Sequence, residues 1–146
     1  MPPDVMITTV AHVIQLAVAP VFLLTGVGAL LGVLTNRLAR VIDRARVLEG
    51  LLPGADAIKQ GAHRSELATL SRRGRLINRA ISLCTTCALL ICMVIVALFT
   101  GAFLAVDMSV LTGLLFICAM LALIGGLISF LREIHFAMGS APIETR

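Results

Sequence analysis

The sequence predicts an all-α membrane protein: a transmembrane helical bundle of three spanning helices, the first two extended into a cytoplasmic, antiparallel, coiled-coil-like hairpin. Three observations carry this. The chain is 59% hydrophobic and 14% charged, with a mean hydropathy of +1.03, whereas soluble domains are about half apolar and a quarter charged. Residues 10–35, 80–106 and 108–131 contain no charged side chain other than His12. Ten of the 12 Lys and Arg lie between residues 36 and 80. The 146 residues fit one membrane domain, with spans at about 10–35, 81–106 and 110–131 and the helical hairpin at about 36–80.

The first apolar stretch exceeds the ~20 residues a spanning helix requires. It does not read as a signal peptide, because it lacks a basic leading region, runs too long and has no small-residue cleavage site. Pro20 sits inside it, removes a donor and frees the carbonyl of Leu16, so a kink is expected there. His12 and Gln15 lie on one face just outside that kink. A polar cluster at the outer interface explains them; the alternative is a functional histidine, since an ionisable residue inside a membrane is a candidate site.

The 36–80 segment holds ten basic and four acidic residues, a net charge of +6. Leu38, Val41, Ala45, Leu48 and Leu52 repeat at 3-4-3-4 spacing, as do Leu67, Leu70, Gly74, Ile77 and Ile81. That is a narrow apolar seam with arginines on the other faces. Pro53-Gly54 and Gly61 mark a break between two helices of roughly 5–52 and 64–106. Folding about that break aligns residues whose numbers sum to about 119, setting Ala45 against Gly74, with the ~15-residue extensions standing about 22 Å beyond the bilayer. The alternative is a pair of amphipathic helices lying on the membrane surface.

The second and third stretches are parted only by Asp107 and its neighbours, so they form a tight hairpin. Lys and Arg mark the cytoplasmic side of a membrane protein. The N-terminus is therefore expected outside, the 36–80 segment inside, the Asp107 turn outside and the C-terminus inside. Arg37, Arg40 and Arg44 share one face, and Arg72, Arg75 and Arg79 another. With Arg132 they form a basic face for anionic lipid headgroups, or for an acidic partner protein. Asp43 and Glu49 are expected to pair with arginines of the hairpin. Gly28 and Gly32, Gly101 and Gly126 lie in small-residue rows that permit close helix contact, within the bundle or with another chain.

Cys84 and Cys87 form a C-x-x-C, with Cys92 and Cys118 elsewhere. Redox and metal motifs need such a pair at a helix start or beside further ligands. Packing by small side chains is the expected role, with no metal and no cofactor. No aromatics interleave the basic residues, which argues against nucleic-acid binding.

Several segments resemble the bacterial membrane proteins of the domain of unknown function 2721 family. They are residues 19–24, Arg37-Leu38-Ala39-Arg40, Asp43-Arg44-Ala45-Arg46, Leu70, Arg72-Arg73, Asn78, Ala80-Ile81 and Phe130-Leu131-Arg132-Glu133. The resemblance covers nearly the whole chain. It implies the bacterial cytoplasmic membrane and carries no activity with it. The sequence shows no paired-carboxylate site in the membrane, no Ser/His/Asp set, no phosphate loop and no metal cluster, so an enzyme is not expected. The reading is a structural or accessory protein that self-associates or serves another membrane protein. The alternative is a homo-oligomeric channel or transporter lined by Thr25, Thr35, Thr85, Thr86 or Thr100.

Overall fold

The computed structural model describes residues 3–139, and they are helical with short turns. Helix α1 runs Pro3–Leu51, a 3-10 turn follows at Leu52–Gly54, α2 runs Ala57–Leu104 and α3 runs Ser109–Gly139. All three helices are long and apolar enough to cross a membrane. Their contacts gather the described residues into two units, 3–31 with 83–124 and 32–82 with 125–139.

In the first unit α1 buries Val13, Ala17, Pro20 and Val27, α2 buries Cys84, Cys87, Ile91, Val94 and Ala97, and α3 buries Ala119. Large apolar side chains such as Phe22, Leu89, Phe103 and Leu121 point outward, each more than 60% exposed. That inversion of soluble-protein habit suits helices whose solvent is lipid, where packing of small side chains replaces hydrophobic collapse. The α2–α3 connection is short because Ala105 takes a left-handed conformation, φ 52°, that ends α2 as glycine usually does. Asp107 then accepts from the Ser109 backbone N–H at 3.0 Å and from its hydroxyl at 2.6 Å. These two bonds hold the exposed Asp107 carboxyl below its usual range.

In the second unit α1 buries Leu34, Val41 and Leu48, α2 buries Leu70, Ile77 and Ala80, and α3 adds Gly126, Ser129 and Glu133. Val41 to Leu48 and Leu70 to Ile77 keep the seven-residue spacing of the expected seam. Outside the apolar stretches water is the competitor, so each fully buried Leu or Ile here contributes ~1.5–3 kcal/mol.

Three expectations need correction. Gly61 does not break the hairpin: α2 begins at Ala57, with Gln60 N–H donating to Asp56 O at 2.9 Å. An exposed mid-helix glycine costs only ~1 kcal/mol, which the rest of a 48-residue helix absorbs. The register also differs. A Cβ on Gly74 would lie 3.7 Å from Val41 Cγ1 and within 4 Å of no atom of Ala45, while Arg44 reaches Glu66, so the partners 41 with 74 and 44 with 66 sum to 110–115 and not to 119. With α1 ending at Leu51 and α2 starting at Ala57, the turn is centred earlier in the chain than helices ending near 52 and starting near 64 would place it, which lowers the sum. A shift of about one helical turn leaves the same seam buried with different partners. Finally, Asp43 and Glu49 are exposed and form no ion pair among the described residues; Glu66 takes Arg44 instead, Nε to Oε1 2.9 Å.

Candidate functional site

The most unusual side chain in the molecule is Glu133, on α3 two residues beyond the last apolar stretch. It is completely buried. A buried carboxylate is costly unless charge and hydrogen bonds compensate it. Two arginines from the other two helices do so. Arg73 of α2 donates from Nε (3.2 Å) and Nη2 (3.0 Å) to Oε1. Arg37 of α1 brings Nη2 to 2.9 Å from Oε2, but no N–H among the described residues is aligned to hydrogen-bond that oxygen. Arg37 thus neutralises by charge, and Arg73 by charge and hydrogen bonding together.

Helical spacing on α3 extends the cluster. Phe130, Glu133 and Phe136 follow at intervals of three and lie along one side of the helix. Arg37 stands over the Phe130 ring, Cζ 5.3 Å from the centroid, and Arg72 over Phe136 at 4.8 Å. Both are within cation–π range. A short row on α3 therefore receives three arginines from two helices. A cavity of about 390 Å³ adjoins the clamp, lined by Arg37, Arg40, Val41, Arg44, Leu70, Arg73 and Glu133. The arrangement ties α3 to α1 and α2 by charge.

The structure divides the expected basic face. Arg37 is drawn in to Glu133, Arg44 is exposed but paired with Glu66, and Arg72 rests on Phe136. Arg40, Arg75, Arg79 and Arg132 are exposed without a carboxylate partner among the described residues. Near the N-terminus His12 and Gln15 face outward while Pro20 is buried, so the three do not converge on one site. Gly28 and Gly32 are exposed with nothing within 4 Å of an added Cβ. Gly101 instead packs on the α2–α3 turn, where a Cβ would meet Val106 O at 3.3 Å. Gly126 is buried and Ala45 and Gly74 are half-buried. Cys84 and Cys87 are buried free thiols, and Cys92 and Cys118 exposed ones. Of the threonines considered for a pore, Thr25 donates to Val21 O and Thr35 to Gly32 O, bonds within their own helix.

Sequence reasoning missed Glu133 and Arg73. The signal was present: a lone acid just past an apolar span is expensive to leave unpaired, and basic residues end the other two spans.

A helical chain with three helices able to span a membrane, closed by an arginine–glutamate clamp, is a multi-pass membrane protein. It belongs to the family described as Protein of unknown function (DUF2721), whose model matches residues 17–143. No curated protein and no solved structure matches the chain.

Proposed function

We propose that the protein is a non-enzymatic accessory or scaffold component of the bacterial cytoplasmic membrane. In this reading the N-terminus lies outside, the C-terminus lies inside, and the basic hairpin faces the cytoplasm. The observation that carries it is the clamp. The one fully buried acid among the described residues is spent on tying α3 to α1 and α2, a structural use. Arg40, Arg75 and Arg79 remain exposed and without carboxylate partners among the described residues, which suits an acidic partner surface. The open faces of Gly28 and Gly32 allow another helix to approach α1 closely.

Extraction from native membranes in mild detergent, followed by native mass measurement, tests the proposal. A complex of the 15.5 kDa chain with other proteins supports it. A homo-oligomer that conducts ions in planar bilayers replaces it with a channel, and a solitary monomer contradicts it.

A further inference from the structure

We propose that the groove between α2 and α3 formed by Thr69, Arg72, Leu131, Arg132, His135 and Phe136 is a specific site for an anionic membrane phospholipid. Its volume is about 660 Å³, within the ~300–1,000 Å³ of small-ligand pockets. No carboxylate among the described residues lines it, in contrast to the cavity beside the clamp, where Glu133 would oppose an anion. Arg72 is held in place over Phe136 at 4.8 Å, so little side-chain freedom is lost when it meets a phosphate. His135 Nδ1 is 3.0 Å from Leu131 O, a contact that holds the ring at the side of the groove. Arg132 is exposed and has no ion-pair partner among the described residues.

Depth selects a lipid over a soluble phosphate. Leu131 ends the third apolar stretch, and the lining continues to Gly139, a rise of about 12 Å along α3. Each headgroup layer occupies only ~5–8 Å outside the hydrocarbon. The groove therefore spans the interface, with Leu131 and Phe136 to meet acyl chain and two arginines to meet phosphate. This goes beyond the accessory role and does not depend on which side of the membrane the hairpin faces.

The full-length protein, delipidated in detergent, is titrated with phosphatidylglycerol and separately with phosphatidylcholine, and bound lipid is counted by native mass spectrometry. One phosphatidylglycerol is expected to bind in preference to phosphatidylcholine. Arg72→Ala and Arg132→Ala should each weaken it about fivefold, the equivalent of ~1 kcal/mol per basic residue at an anionic surface. Arg46→Ala, at an exposed arginine outside the groove, should leave it unchanged. Arg132→Gln, a mild change at an exposed position, repeats the loss if Arg132→Ala disturbs folding. Equal losses from Arg46→Ala would mean diffuse surface attraction and overturn the site. So would equal binding of the two lipids, or displacement of the lipid by tenfold inorganic phosphate.

Discussion

Replacing Glu133 with glutamine preserves side-chain size and removes the charge that two arginines share. Breaking a buried ion pair by removing one partner costs ~3–5 kcal/mol. Two features place this case at the lower end. Arg37 and Arg73 retain 33% and 25% side-chain exposure, so water recovers part of their solvation, and Arg37 makes no aligned hydrogen bond to lose. A cost of ~3 kcal/mol follows, borne by the docking of α3 in the second unit and not by helix formation itself. Amide hydrogen exchange reads that docking locally. Exchange across residues 126–138 should accelerate about 150-fold in Glu133→Gln, at ~1.4 kcal/mol per tenfold, while residues 112–122 change little. The triple variant Arg37→Met, Arg73→Met, Glu133→Leu should return to within ~1 kcal/mol of the parent, because a buried ion cluster and an apolar replacement are often close in free energy. Exchange in Glu133→Gln within threefold of the parent would refute the clamp. If the triple variant were no better than the single, the loss would be one of packing, not charge.

Further outcomes follow from the same geometry. Cysteines replacing Val41 and Gly74 should crosslink across the hairpin more readily than cysteines at Ala45 and Gly74; the reverse preference would restore the 119 register. Ile77→Ala should destabilise the second unit by ~2–5 kcal/mol, measured as faster exchange along residues 70–81. Ala105→Gly should raise stability in detergent by about 1 kcal/mol, because glycine takes the left-handed conformation at φ 52° without a Cβ penalty; a lower unfolding temperature would show that the turn is not strained. Asp107 is more acidic when folded than when unfolded. Its stabilisation is therefore complete above the unfolded carboxylate range, near ~3.9, and is lost as pH falls through the lower folded value. Protection from exchange in the first turn of α3, taken relative to the intrinsic rate at each pH, should fall in acid, and Asp107→Ala should remove that change in protection.

The spans were legible because lipid imposes a length of uninterrupted apolar sequence, and 10–35, 80–106 and 108–131 supply it without competing signals. The turn at Asp107 was legible for the same reason: it holds the only charged residue between two such stretches. Gly61 misled because a glycine's helix penalty is small beside the packing of the helix around it. That one error moved the register, although the seam through Val41, Leu48, Leu70 and Ile77 was visible from spacing alone. The clamp was harder to see. Glu133 meets Arg73 60 residues away, and no local pattern announces which of ten neighbouring basic residues turns inward. Arg72 and Arg73 are adjacent in sequence, yet one stacks on Phe136 and the other enters the core, a division made by the helix phase of α2 against α3.

Topology is the claim on which the functional reading stands. In a background with all four cysteines removed, single cysteines at Ser65 and Val106 would be exposed in intact bacterial cells to a membrane-impermeant thiol reagent. The expected result is labelling at Val106→Cys without permeabilisation, and at Ser65→Cys only after it. Labelling of Ser65→Cys in intact cells with Val106→Cys protected would invert the orientation, and equal access to both would contradict a spanning second helix.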